Sequence, residues 1–183
     1  MTRFFKVSSY LLLVFNILLL FLLFFQEKVN IPLWLTPFGR IHPMLLHLPI
    51  GFSVALMVFL LLKSEFETKS YETLIRLIII LTALSAAISA LMGFFLSKEG
   101  GYDARILQWH KWTGVGVSLF TYGLVWFNDN LAQKTKAFKA LSLGSLLLII
   151  LAGHFGAAIT HGENYVFEVF QKKKTIPQTM GSV

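Results

Sequence analysis

The sequence predicts an all-α integral membrane protein with five transmembrane helices, the last four forming an up-down four-helix bundle. Three observations carry this. Of the 183 residues, 56% are hydrophobic and only 14% are charged, against roughly 45–50% and about 25% in soluble domains. The mean hydropathy is +0.70, and 18 residues are phenylalanine; a chain this short has too much surface to hide so much hydrocarbon in a soluble core. Finally, five apolar stretches approach the ~20 residues that an α-helix needs to cross a hydrocarbon layer of about 30 Å, and short polar hinges separate the last four.

The first span runs from about Ser9 to Phe25, behind a short basic start containing Arg3 and Lys6. Its apolar run is long, and Gln26-Glu27-Lys28-Val29-Asn30 offers no small-residue cleavage site, so it reads as a retained anchor rather than a signal peptide. With the loop that follows it makes an N-terminal unit of residues 1–36. The second span runs from about Pro43 to Leu62. Pro43 stands in the first turn, where a missing N–H is tolerated, and Pro49 should free a carbonyl near Leu45 and bend the helix.

The third span, about Glu72 to Leu96, carries Ala83, Ala86, Ala87, Ala90 and Gly93 at helical spacing. Such a stripe usually lets backbones approach closely; it can also leave room for a flat cofactor. The fourth span covers about Ala104 to Phe127 and the fifth about Phe138 to His161. The hinges Lys63–Tyr71, Ser97–Asp103 and Asn128–Lys136 are short, so consecutive helices should pack as antiparallel neighbours. These four spans make a membrane domain over residues 37–165, followed by a polar tail, 166–183, with Lys172-Lys173-Lys174. No internal repeat is visible.

Several functions are excluded early. The net charge of +7 comes from 16 Lys and Arg set between apolar runs; with no basic groove or interleaved aromatic platform, nucleic acid is not a partner. The absence of Cys removes disulfides, thiolate metal sites and covalently attached haem. There is no HExxH pair, nucleophile–base arrangement or phosphate-binding glycine loop. No catalytic residue is assigned, and a redox or accessory subunit is favoured over a stand-alone enzyme.

The alternation of spans brings five histidines to one side. The first span ends on the side where the second starts, the third ends, the fourth starts and the fifth ends. His42 and His47 lie at the start of the second span, His110 near the start of the fourth, and His154 and His161 near the end of the fifth. At 1.5 Å per residue, His47 and His110 each lie roughly 7 Å inside their helix starts. In a four-helix bundle these two helices are diagonal partners, so His47 and His110 are expected to face each other, as a bis-histidine haem requires. His154 and His161 share one face of the fifth span and could serve a second haem or bind the cofactor's edge. Arg40, Lys98, Arg105 and Lys111 lie on the same side, where haem propionates would want charge-assisted partners. A histidine near a membrane surface is also an ordinary hydrogen-bonded residue, above all His42 and His161 at the helix ends.

Three segments resemble a bacterial family of membrane proteins, domain of unknown function 2231. Phe38-Gly39-Arg40-Ile41-His42-Pro43-Met44-Leu45-Leu46-His47-Leu48-Pro49-Ile50-Gly51 is similar to its HPxxxHxPI opening. Gly100-Gly101-Tyr102-Asp103, followed by His110 and Gly114, resembles its middle motif. Gly153-His154-Phe155-Gly156-Ala157-Ala158-Ile159-Thr160-His161-Gly162 resembles its GHxGGxLTHG ending, with Ala157 in place of a usual Gly. The resemblance covers about Pro37 to Tyr165 and implies a four-helix di-haem b-type cytochrome, with His42, His47, His110, His154 and His161 as the positions carried over. Members that precede c-type cytochrome modules share this ending; with no Cys, this chain would need a separate redox partner, another membrane subunit, a c-type cytochrome or a quinone.

The resulting reading is a bacterial inner-membrane electron-transfer subunit that binds one or two b-type haems through imidazoles near one membrane face. His47, His110, His154 and His161 are the expected metal ligands, with His42, Arg40 and Arg105 also binding the cofactor. The alternatives are a cofactor-free anchor or assembly subunit and a histidine-based copper site. Eight near-span Lys and Arg on the side where the first span begins, against five on the other, place the N-terminus in the cytoplasm and the histidines at the periplasmic face.

Overall fold

Within hydrocarbon a backbone must satisfy its own N–H and C=O groups, so each apolar run folds as a helix. The computed structural model describes residues 3–62, 68–130, 136–165, 168 and 170. The first run forms α1 (Arg3–Phe24). Short 3-10 turns at Gln26–Lys28 and Leu33–Leu35 lead into α2 (Thr36–Gly39) and α3 (His42–Leu45). Four long helices follow: α4 (His47–Leu61), α5 (Thr68–Ser97), α6 (Ala104–Asn130) and α7 (Lys136–His161). Among the described residues there is no strand.

Arg3–Phe24, Leu33–Leu61, Lys69–Ser97 and Lys136–His161 are each long and apolar enough to cross a membrane. At 27 residues α6 is as long, but its first turns carry Arg105, Gln108, His110 and Lys111. It packs against α1, α5 and α7, and that cover is what lets it be more polar than its neighbours.

The breaks between helices follow from local chemistry. Gly100 and Gly101 have φ of 79° and 83°, a left-handed backbone that glycine adopts without strain. Asp103 then caps α6, its Oδ1 accepting from the Ile106 N–H at 2.9 Å, and so supplies a donor of the first turn with a partner. At the other end of the row, Gly162 terminates α7 with φ 94°, its N–H donating to the Ala158 carbonyl at 2.9 Å, as helix ends commonly require. The hinge residues 63–67 and 131–135, and the lysines of the tail, lie outside the described residues.

The packing departs from the expected closed bundle. α4 packs on α5, α5 on α6 and α6 on α7, but among the described residues α4 and α7 do not pack along one another. The last four helices form an open row. α1 lies against both α5 and α6, with Leu12, Leu19 and Leu23 buried in the same core as Leu56, Ile75, Ile79, Ala83, Ala87 and Val115. The first helix therefore belongs to the packed core and begins at Arg3 rather than Ser9. A polar bond fixes its register: the buried Asn16 donates through Nδ2 to the Leu12 carbonyl at 2.9 Å and accepts from the Ser118 hydroxyl at 3.0 Å.

The small residues of α5 act as close-approach points, as their usual meaning has it. Ala83, Ala86 and Ala87 are buried. Gly39 of α2 meets the same helix further on, where a β-carbon would lie 2.6 Å from the Leu96 backbone nitrogen.

Candidate functional site

Pro49 divides the second apolar run. Lacking an N–H, it cannot donate to the Leu45 carbonyl, and the run breaks at Leu46 into α3 and α4, with Pro49 in the first turn of α4. His42 precedes the break and His47 follows it. On a straight helix, residues five apart point about 140° from each other, so the two cannot enter one cavity. His42 is the buried member; His47 is exposed, its Nδ1 3.2 Å from the Met44 carbonyl. The expectation that His47 faces His110 is corrected accordingly. The partner is His42, whose ring centre lies 6.0 Å from that of His110, with the planes at 76°.

Each of these two rings is seated in the same way on the next long apolar run, His42 on α5 and His110 on α7. His42 Nδ1 lies 2.8 Å from the Ser89 carbonyl of α5, and four residues on, a β-carbon at Gly93 would come within 2.8 Å of the ring. His110 Nδ1 lies 3.0 Å from the Ala152 carbonyl of α7; again four residues on, a β-carbon at Gly156 would come within 3.2 Å of that ring. A carbonyl oxygen only accepts, so Nδ1 carries the proton in both rings and the lone pair of a neutral imidazole is on Nε2. Two helical hairpins thus present one oriented imidazole apiece, a structural repeat that the sequence did not reveal by letter matching.

The contacts also gather the histidine-bearing helix ends at one end of the molecule. Gln26, just past α1, bonds Gln108 of α6 at 3.1 Å. Arg40 pairs with Glu99 beyond α5, and Arg105 of α6 with Glu163 beyond α7. The structure does not bring His154 or His161 to the His42–His110 pair: both are exposed on α7, the former edge-on to Phe155 and the latter stacked on Tyr165 with centroids 4.3 Å apart. Arg40 and Arg105 are likewise on the outside, their side chains 69% and 72% exposed in those ion pairs. Among the described residues no three His, Asp or Glu stand together as a metal-ligand group.

All of these histidines fall within residues 39–170, the segment matched by the family model described as "Predicted membrane protein (DUF2231)". The chain belongs to the DUF2231 family. No curated protein and no solved structure matches it. Membership places it in the lipid bilayer as a membrane protein, in keeping with its apolar helices. α1 lies before the DUF2231 segment, yet it supplies part of the site.

A cavity opens beside the imidazole pair in this DUF2231 chain. It is lined by Leu19 and Leu23 of α1, by His42 of α3, by Ala90, Gly93 and Phe94 of α5, and by Leu107, His110, Lys111 and Gly114 of α6. A β-carbon at Gly114 would meet nothing within 4 Å, so this helix turn faces open space. The sequence points to Gly156 as a residue that relieves crowding near the histidines, but not to Ser89 and Ala152 as seats for the rings, nor to Gln26. The signal for the first group was the pairing of a small residue with Gly four positions later on the next long apolar run after each histidine.

Proposed function

We propose that this protein is a five-span membrane electron-transfer subunit that holds b-type haem between His42 and His110. The observation that carries the reading is the pair itself: two buried or half-buried imidazoles, each with Nδ1 committed to a carbonyl, 6.0 Å apart between ring centres. With Nδ1 of each ring taken by a carbonyl, Nε2 is the free donor on both, so His42 and His110 would be the residues to hold an iron between them. Ligating histidines characteristically donate their other N–H to a carbonyl, which fixes the tautomer and the ring orientation.

The residues' work on this reading is to bind, orient and exclude water. His42 and His110 hold the metal, Ser89 and Ala152 aim them, Gly93 and Gly156 admit the rings, and Leu19, Leu23 and Phe94 keep the site apolar. A haem bound there would supply reversible one-electron chemistry, with its potential set by the axial ligands and the low-dielectric surroundings. Donor and acceptor are a neighbouring membrane redox subunit, a c-type cytochrome or a quinone. The inner membrane of a bacterium is the setting, with the N-terminus cytoplasmic and the imidazole end periplasmic, on the balance of basic residues. A copper site of three or more imidazoles has no cluster to support it among the described residues.

The test is the cofactor content of the full chain purified in detergent from haem-replete cells. The reading expects about one b-type haem per chain by pyridine haemochrome, titrating reversibly as a one-electron centre. Folded, monodisperse protein without haem would overturn it in favour of a cofactor-free anchor.

A further inference from the structure

Besides Lys28, four cations stand at the histidine end of the molecule, Arg40, Lys98, Arg105 and Lys111, and the structure divides them into two kinds. Arg40 and Arg105 already have carboxylate partners, Glu99 and Glu163, out on the surface. Lys98 and Lys111 do not: the Lys98 ammonium donates to the Gln26 backbone carbonyl, and the Lys111 ammonium donates to the Gln26 side-chain oxygen. One glutamine thus draws two ammonium groups together with neutral acceptors. Among the described residues the ion pairs at this end are Arg40–Glu99 and Arg105–Glu163, and neither lysine is in one.

This pair stands at the imidazole cavity. Lys111 lines it, one residue after His110. Lys98 lies over the face of Phe94, its Nζ 5.4 Å from the ring centre, and Phe94 is itself a cavity wall. Two like charges held side by side at an apolar cavity are unfavourable until an anion joins them, and a neutral amide makes only a weak substitute for a carboxylate.

Resting on the haem reading above, we infer that Lys98 and Lys111 are the receptor for the two carboxylates of the ligand held between His42 and His110, with Gln26, in the turn just past the first helix, as the group those carboxylates displace. Arg40 and Arg105 have no part in it. The turn that follows the first helix, outside the family segment, is then a component of the binding site.

The test compares haemin with haemin dimethyl ester, whose carboxylates are masked, by titrating full-length protein produced under haem limitation. Wild type should bind haemin at least about tenfold more tightly than the ester, the scale of a charge-assisted pair. K98Q/K111Q should bind both equally, with the bis-imidazole spectrum retained, whereas R40Q/R105Q should discriminate like wild type. K98R/K111R should keep most of the preference and shows that the sites tolerate substitution. Persistence of the preference in K98Q/K111Q, or its loss in R40Q/R105Q, overturns the lysine assignment. Failure of wild type to bind either form with a bis-imidazole spectrum overturns the haem reading itself, a distinct result.

Discussion

The imidazole of His42 rests where a β-carbon at position 93 would have to be: Gly93 is separated from it by a distance that leaves only 2.8 Å to such an atom. The ring is therefore held from two sides, by the Ser89 carbonyl at Nδ1 and by the bare backbone of Gly93. The corresponding clearance at Gly156 beneath His110 is 3.2 Å.

That difference orders two substitutions. Gly93→Ala should displace His42 and remove most of the haem, with an overpacking cost of about 1–3 kcal/mol. Gly156→Ala asks His110 to move only a few tenths of an ångström and should retain more of it. Haem per chain and thermal midpoint in detergent, measured on both variants, check the order; equal retention would show that the seats do not position the rings.

The ring seat depends on a carbonyl rather than on a side chain. Ser89 Oγ is 3.4 Å from His42 Nδ1, while its backbone oxygen is at 2.8 Å. Ser89→Ala should therefore keep the absorption spectrum of wild type, to within a small change in stability. A lost or shifted spectrum in that variant would mean that the hydroxyl is the orienting group.

The planes of His42 and His110 stand at 76°. Were this pair to hold a ferric haem, rings crossed in this way would give a strongly anisotropic low-spin signal, which electron paramagnetic resonance of the oxidised protein should then show. A rhombic signal of the sort that parallel rings give would contradict the observed ring orientation.

Asn16 ties the first helix to α6 through Ser118. Asn16→Leu should weaken the fold by about 1 kcal/mol, the usual scale for a polar bond between membrane helices, as read by denaturant unfolding in micelles. An unchanged midpoint would show that α1 is held by apolar packing alone.

The helical class and the membrane setting were legible because length and hydropathy of an apolar run translate directly into a helix within lipid. So was the gathering of the histidine-bearing ends, which follows from counting crossings. The identity of the paired histidine was not: depth along the span pointed to His47, whereas His42, five residues earlier and about 140° round the helix, is the one that turns inward. The open row of helices was also hidden, since hinge length says that neighbours pack but not whether the ring closes. The ion pairs of Arg40 and Arg105 could not be read because their partners, Glu99 and Glu163, are 59 and 58 residues away in sequence.

The most direct measurement is a dithionite-reduced minus air-oxidised absorption spectrum of the purified full chain, taken side by side for wild type, His42→Ala, His110→Ala and His47→Ala. The account predicts sharp Soret and α bands in wild type and His47→Ala, and their loss in His42→Ala and His110→Ala. A flat difference spectrum from wild type, or bands that survive in both His42→Ala and His110→Ala, would contradict the proposal that this pair holds haem.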